Sequence, residues 1–285
     1  MSEIFPGRVG LQQRVLPAYR APFYDALAQA CRGGLSVFAG QALPEESIAT
    51  TDRLEQAELF PARNRNFFPI RSPFYQCWQV NILEWLEETQ PDVLIVEANA
   101  RYPSTHLAVS WMHSRGRPVL GWGLGEPPAA GWLSGLRRRS RLRLVRSLDG
   151  VIAYSRRGAE QYRALGFSAE QVFVAPNAAT PRPTTPPPQR PPSFDGRPAV
   201  LFVGRMQARK RIDNLLQACA ALPEQLRPRL WVVGDGPARE QFAELAARIY
   251  PQAEFPGALH GDRLEPFFKR ADHLLPAGTG GLGPP

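Results

Sequence analysis

The sequence predicts an α/β fold in which two units of parallel sheet are each covered by helices on both faces. Short apolar segments alternate with helix-period segments along the chain, and a proline-rich segment divides that pattern into two parts. Hydrophobic residues make up 44% of the 285 residues and charged residues 21%, which excludes wholesale disorder. At roughly 100–200 residues per domain, this length predicts about two domains.

The first part alternates short apolar segments, typical of buried strands in a parallel sheet, with longer helix-period segments. The strands are expected at residues 8–11, 35–39, 93–97, 119–122, 150–154 and 172–175. The helices are expected near residues 21–31, 76–88, 104–114 and 156–165. Because a crossover helix between two strands leaves them parallel, this part predicts one continuous parallel sheet.

The second part continues the alternation. Its strands are expected at residues 199–203, 230–233 and 253–256 and from residue 273, and its helices at residues 212–222, 238–250 and 262–270. Nine of the 23 residues from 176 to 198 are proline, a composition that excludes a helix interior or a central strand.

These boundaries predict a first domain over residues 1–178, an extended linker over 179–197 and a second domain over 198–285. Two such domains are expected to enclose a cleft, with ligands at the carboxyl ends of the strands.

Composition and motifs disfavour several classes of protein, namely nucleic-acid-binding, metal-binding, secreted and membrane-spanning proteins and two classes of hydrolase. The net charge of +8 favours anionic partners, yet no RNP, zinc-finger or helix-turn-helix pattern supports nucleic acid. Three separated cysteines without metal-ligand spacing predict no metal site and favour a cytoplasmic location. The sequence predicts no signal peptide, and it predicts no membrane-spanning helix because every apolar stretch is shorter than about 18 residues. No H-E-x-x-H or Ser-His-Asp order supports a zinc peptidase or a serine hydrolase.

The segment LFVGRMQARKRIDNLL, residues 201–216, carries the strongest chemical signal. Gly204 permits a tight turn after an apolar strand, and Arg205 and Lys210 flank the expected start of a helix. Free N–H groups and the helix dipole favour an anion there, and an arginine fork with a lysine point charge suits a diphosphate. A solvated basic cluster at a helix end is the alternative. Lysine occurs only at positions 210 and 269, which adds weak support for a specific task at Lys210.

A second glycine turn lies in LWVVGDGPAREQFAELA, residues 230–246, again between a strand and a helix. By itself it predicts only a tight connection. The spacing of Gly234 and Gly236 with Arg239 lacks the third glycine of a dinucleotide-binding fingerprint. GWGLGE, residues 121–126, likewise places Glu126 at that position, so both motifs disfavour a nicotinamide or flavin enzyme.

Together with FPGALHGDRLEPFFKRADHLLPAG, residues 255–278, these segments resemble the donor-binding half of family 4 glycosyltransferases of GT-B architecture. The pattern of that family is a strand, G-R-x-x-x-x-K, a second strand, G-D-G-P, F-x-G, and A-D before a strand that ends at proline. Residues 151–179 resemble the end of the first domain of the same family. The resemblance implies two Rossmann-like domains. It also implies transfer of a sugar from a nucleotide diphospho-sugar to a cell-envelope, polysaccharide or small-molecule acceptor, usually with retention and often without a metal.

The resemblance also implies which residues bind the donor. Gly204, Arg205 and Lys210 would hold the diphosphate, and no cofactor besides the donor substrate is expected. A glycine-rich loop would contact the donor sugar through Gly278, Thr279, Gly280 and Gly281.

Two departures from the family pattern concern the end of the chain. Most members carry glutamate where this sequence has Gly280, and a second glutamate on a helix that would follow Pro285. The second domain is therefore expected to be incomplete. The alternative to an active transferase is a non-catalytic remnant that binds a nucleotide or a membrane weakly.

The first domain is expected to bind a glycan, a lipid-linked or a small-molecule acceptor. Polar residues that follow its predicted strands are the candidate contacts: Gln12, Gln13, Arg14, Tyr19, Arg20, Glu97, Arg101 and Glu126. Each could instead cap a helix or pair with a neighbouring charge, for example Glu97 with Arg101.

The run LRRRSRLRLVR, residues 136–146, interleaves leucine with six arginines, namely Arg137, Arg138, Arg139, Arg141, Arg143 and Arg146. As a helix it would be a basic amphipathic segment able to lie on the anionic inner face of a membrane. An ordinary solvated helix is the alternative.

Overall fold

The computed structural model describes residues 4–46, 48–70, 72–126, 134–176, 197–259 and 261–275. The chain divides into two compact units, Met1–Arg182 and Pro183–Pro285. The expected donor-sugar loop, Gly278 to Gly281, lies outside the described residues, and so does all of the expected linker except Arg197.

The first unit is built on a seven-stranded parallel sheet with a separate antiparallel hairpin. Its strands are β1 (Val9–Val15), β2 (Leu35–Gly40), β3 (Glu58–Pro61), β4 (Asn64–Phe67), β5 (Gln76–Gln79), β6 (Val93–Glu97), β7 (Val119–Gly123), β8 (Gly150–Ala153) and β9 (Val172–Val174). The sheet order is β3-β2-β1-β6-β7-β8-β9, and β4 pairs with β5 to form the hairpin.

Helices cover both faces of this sheet: α1 (Ala21–Gln29), α2 (Ile82–Thr89), α3 (Thr105–His113), α4 (Ser134–Val145) and α5 (Arg156–Ala164). Alternate residues of β6 enter two different cores. Leu94 and Val96 pack in a cluster with Trp85, whereas Ile95 packs in a cluster with Tyr24. Because successive strand side chains point to opposite faces, the two cores lie on opposite sides of the sheet.

The second unit repeats this layout around a four-stranded parallel sheet of order β12-β11-β10-β13. Its strands are β10 (Ala199–Val203), β11 (Arg229–Val233), β12 (Ala253–Gly257) and β13 (His273–Leu274), and its helices α6 (Ile212–Ala221), α7 (Arg239–Ile249) and α8 (Glu265–Arg270). Phe202 packs in a core with Leu216, whereas Leu201 packs in the core of the opposite face with Trp231. The predicted fold class, two α/β units with parallel sheets, is therefore confirmed.

Two local predictions in the first unit are wrong. Residues 76–88 form strand β5 and then helix α2 instead of one helix, because residues 76–79 pair with β4 and bury Cys77 and Gln79. The first strand continues to Val15 instead of ending at residue 11, so Gln12, Gln13 and Arg14 lie inside it rather than after it. Strands β3 and β4 were not predicted.

Within the described residues, no helix combines the length and the apolar character needed to cross a membrane.

Candidate functional site

In the second unit, the loop between β10 and α6 contains all three residues predicted to hold a diphosphate. Gly204 follows the strand, and its N–H donates to the carbonyl of Val233 at 3.0 Å. Arg205 comes next and is half-buried. Lys210, also half-buried, closes a 3₁₀ turn directly before α6. The loop therefore lies at the carboxyl edge of a parallel sheet, where ligands of such folds bind.

The GDGP turn supports this loop from the neighbouring strand β11. A Cβ on Gly234 would lie 2.0 Å from the carbonyl oxygen of Gly204, and one on Gly236 would lie 2.4 Å from that of Met206. The Met206 N–H donates to the Asp235 carbonyl at 2.8 Å. Because the two backbones touch, only glycine fits at both positions, and the turn fixes the path of the Arg205–Lys210 segment.

The two lysines of the chain have different surroundings. Lys269 is exposed and pairs with Glu265 at 2.7 Å, one helical turn away. Arg211, next to Lys210, pairs with Asp213 at 3.1 Å. Within the described ranges, Lys210 itself forms no ion pair, so its ammonium charge has no protein carboxylate to neutralise it.

In the first unit, the polar residues inside β1 are bound to one another and to the adjacent elements. The Gln12 amide nitrogen donates to the side-chain oxygens of Gln79, at 2.6 Å, and Thr105, at 3.0 Å. Gln79 in turn donates to the backbone carbonyl of Gln13 at 3.1 Å. The fully buried Gln12 therefore joins the sheet to the hairpin and to α3, and both of its amide protons are already used.

Arg14 is held by a buried carboxylate that the sequence did not reveal. Its Nη1 donates to Oε2 of Glu46 at 2.9 Å, its Nη2 donates to the other carboxylate oxygen, and both side chains are buried. Burial opposes the charged form, but the hydrogen bond to Glu46, the nearby Tyr102 and Tyr75 hydroxyls and the charge of Glu46 together outweigh it and raise the pKa of Arg14. No sequence signal marks Glu46, because it lies in a short polar turn 32 residues away.

The structure brings Glu97 and Arg20 to the same edge of the sheet as Arg14. Burial raises the pKa of the Glu97 carboxyl, while the Arg14 N–H at 3.3 Å and the charges of Arg14 and Arg20 act against that rise. Arg20 donates to Gln13 at 3.1 Å and to the Tyr154 hydroxyl at 3.0 Å. Three of the eight predicted acceptor contacts, Arg14, Arg20 and Glu97, thus form one electrostatically coupled cluster.

Arg101 and Glu126 line a cavity of about 940 Å³ instead. The cavity lies between the tip of the β4–β5 hairpin, the loop after β6 and helix α4. Glu126 accepts a hydrogen bond from Nε of Arg138 at 2.6 Å, and no Glu97–Arg101 ion pair forms within the described ranges.

Helix α4 does not present its arginines on one side only. Arg137 and Arg141 continue the inward stripe of the buried residues Leu144 and Val145 and line the cavity. Arg139, Arg143 and Arg146 line a second groove, of about 780 Å³, on another side of the helix. The sequence predicted the basic helix but missed the inward position of two of its arginines.

No metal site is visible in the part of the chain that the structure describes: it holds no group of three or more His, Cys, Asp or Glu residues suited to a metal ion. All three cysteines are free and buried, and burial raises the pKa of Cys77 to about 11.

Two family models match the chain. The model described as glycosyl transferase 4-like domain matches residues 14–178, more than half of the sequence, and the model described as glycosyl transferases group 1 matches residues 197–280. The chain belongs to this glycosyltransferase family. No curated protein sequence matches this transferase.

Solved structures share the fold of the transferase at low sequence identity. HepE of Anabaena, solved in complex with UDP, is 16% identical with a TM-score of 0.62, over 96% of this chain and 74% of HepE. The lipopolysaccharide outer core galactosyltransferase WaaB, in its apo form, is 17% identical with a TM-score of 0.58, over 94% and 73%. These structures confirm the GT-B fold with two Rossmann-like domains.

A UDP-GlcNAc 2-epimerase from Neisseria meningitidis shares the fold as well, at 11% identity and a TM-score of 0.53, over 94% of this chain and 76% of the epimerase. The fold alone therefore does not separate transfer from epimerisation, and the family models carry that distinction.

Proposed function

We propose that the protein transfers a sugar from a nucleotide diphospho-sugar to an acceptor bound by the first unit. The observation that carries the proposal is the β10–α6 loop, in which Gly204, Arg205 and Lys210 follow a strand of the half that matches the group 1 model. Membership in the family supports the reaction class, and the loop supports the position of the donor diphosphate.

The chemistry requires a cationic site at that position. When the bond between the sugar and the diphosphate breaks, negative charge accumulates on the leaving nucleotide. The guanidinium of Arg205 and the ammonium of Lys210 would neutralise that charge as it develops, which lowers the barrier of the chemical step. Removal of one such group typically lowers kcat by about 10²–10³-fold.

The identity of the donor and the stereochemistry belong to the same proposal. Because HepE was solved with UDP, uridine diphospho-sugars are the first donors to test. Retention at the anomeric carbon and transfer without a metal follow from the family resemblance. We also propose that the loop containing Gly278, Thr279, Gly280 and Gly281 contacts the donor sugar.

We assign the acceptor, from the cell envelope, a polysaccharide or a small molecule, to the first unit. The half-buried Glu97 is the strongest contact candidate there, because it ends β6 at the carboxyl edge of the sheet, where ligands of such folds bind, and its carboxyl oxygens can accept hydrogen bonds from an acceptor. Arg14 and Arg20 are already bound to protein partners, so we assign them the role of fixing the position of Glu97.

Thermal-shift titration with UDP-, GDP- and ADP-sugars tests the donor site. We expect one donor class to raise the melting temperature, and the shift to disappear in Lys210→Ala and Arg205→Ala. Lys269→Ala is the matched control, because it removes the other lysine from an exposed ion pair in the same unit.

Release of the nucleoside diphosphate measures turnover. A donor shift without turnover would support the non-catalytic alternative, and the absence of a shift with every donor would refute the proposed donor site.

A further inference from the structure

The cavity of about 940 Å³ in the first unit has walls of two different chemistries. On the hairpin side, Phe68 and Phe74 are 64% and 49% exposed, and their ring centroids lie 5.9 Å apart. On the opposite side lies α4 with Arg137, Arg138 and Arg141. A large exposed aromatic surface facing a basic helix is typical of a binding site rather than of an ordinary protein surface.

One residue of the aromatic wall, Phe68, has a strained backbone conformation. Phe68 has φ of 63°, a left-handed value that a bulky side chain rarely adopts. The neighbouring structure must offset the cost of that conformation, and such strain is concentrated at functional sites. The strain is independent of the charges on α4, so two separate observations point to the same cavity.

The basic wall carries charge that the protein does not neutralise. Nε of Arg137 is buried and has no hydrogen-bond partner among the residues described. Arg141 is half-buried and forms no ion pair within those ranges, and burial lowers its pKa. Among the described residues that line the cavity, the only acidic one is Glu126, and it already pairs with Arg138. An anion at Arg137 and Arg141 would supply the missing partner.

We propose that this cavity binds a phosphate-bearing amphiphile, with its phosphate at Arg137 and Arg141 and its apolar chain along Phe68 and Phe74. Guanidinium groups bind phosphate through paired hydrogen bonds, which accounts for arginine on the polar wall. A small hydrophilic anion would leave the aromatic wall in water, whereas an attached apolar chain covers it. The volume falls within the usual range of small-molecule sites, about 300–1,000 Å³.

A phosphate-bearing amphiphile is also a suitable acceptor for the proposed sugar transfer. Arg101 and Glu126, which were predicted to contact the acceptor, line the same cavity. The ligand is therefore the acceptor or its lipid carrier, an assignment that rests on the proposed function. Binding of the amphiphile does not depend on that function and is measured without any donor sugar.

Isothermal titration calorimetry with decyl phosphate, decyl maltoside and inorganic phosphate, each below its critical micelle concentration where it has one, tests the proposal. We expect decyl phosphate to bind at one site at least about tenfold more tightly than the other two ligands. The double variant Arg137→Gln/Arg141→Gln should weaken decyl phosphate binding by at least about tenfold. Its matched control is Arg139→Gln/Arg143→Gln, which removes the same charge from the same helix but from the other groove.

Phe68→Gly provides a second variant that should fold at least as well as the wild type, because glycine adopts the left-handed conformation without strain. We expect it to keep or raise the melting temperature while it weakens decyl phosphate binding. Equal affinity for inorganic phosphate and decyl phosphate would overturn the proposal, and so would equal affinity for decyl maltoside. Unchanged binding in both Phe68→Gly and the arginine double variant would overturn it as well. If no donor raises the melting temperature, or if Lys210→Ala keeps the donor-induced shift, the proposed donor site fails. The calorimetry uses no donor sugar, so it tests the amphiphile site independently of that result.

Discussion

The proposed donor loop of the second unit and the Arg14–Glu97 cluster of the first unit both lie at the carboxyl edges of parallel sheets, but different forces hold them. In the donor loop, main chain packs on main chain, and glycine at 234 and 236 permits the contact. In the first unit, buried side chains from distant segments hold one another through hydrogen bonds and charge. The donor loop should therefore be sensitive to added volume, and the cluster to lost charge.

The largest expected effect comes from the buried pair in the first unit. Glu46→Ala leaves the Arg14 guanidinium buried without its carboxylate, which should lower the free energy of unfolding by about 3–5 kcal/mol. Urea denaturation followed by circular dichroism measures the change. Glu58→Ala is the matched control, because it removes the carboxylate of the more exposed Arg8–Glu58 pair and should cost less than about 1 kcal/mol. Similar losses in both variants would contradict a special role for the buried pair.

The donor loop is tested by adding one methyl group. Gly234→Ala places a carbon 2.0 Å from the Gly204 carbonyl oxygen, so the loop must move. We expect the free energy of unfolding to fall by about 2–4 kcal/mol and the donor-induced thermal shift to disappear. Gly257→Ala is the control, since its φ of 85° is also left-handed but nothing lies within 4 Å of the added carbon. It should lose only about 1 kcal/mol and keep the donor shift. A retained shift in Gly234→Ala would show that the loop position does not matter.

The same contrast explains how much the sequence could predict. The donor loop is local: strand, glycine, cations and helix follow one another within residues 201–216, so their pattern is visible without a structure. The cluster is not local, because Arg14 takes its partner from residue 46 and Gln12 takes its partners from residues 79 and 105.

Two secondary-structure predictions were wrong because polar residues are buried and paired in the folded protein. Polar letters at positions 12–14 indicate the end of a strand, yet the strand continues because each side chain finds a buried partner. Residues 76–79 have helix-like neighbours, but pairing with β4 decides their structure. Strand pairing and the hydrogen bonds of buried polar side chains depend on tertiary contacts, and local residue patterns do not encode those contacts.

The arginines on the two sides of α4 are expected to differ in how strongly they bind an anionic membrane. Each arginine close to an anionic surface contributes about 1 kcal/mol of attraction at low salt, so co-sedimentation with anionic vesicles is expected if the helix lies on a membrane. Arg139→Gln/Arg143→Gln should weaken that co-sedimentation by about tenfold or more, whereas the cavity-lining Arg137→Gln/Arg141→Gln should weaken it less. Absence of co-sedimentation at low salt would show that the second groove is only a solvated face.

The smallest effect should come from Glu97, because positive charges and hydrogen bonds offset part of the burial that raises its pKa. A carboxyl whose pKa is higher in the folded state binds more protons when folded, so its contribution to stability falls as pH rises from the unfolded value, about 4.5, through the raised one. Asp25 has the opposite sign: three backbone N–H donors lower its pKa, and its contribution is lost as pH falls below about 4. Glu97→Gln should therefore gain stability relative to the wild type as pH rises from about 4.5 to 7, whereas Asp25→Asn should lose stability relative to the wild type as pH rises from about 2 to 4. Urea titrations at several pH values measure both slopes, and equal slopes in the two variants would contradict a desolvated carboxyl at the end of β6.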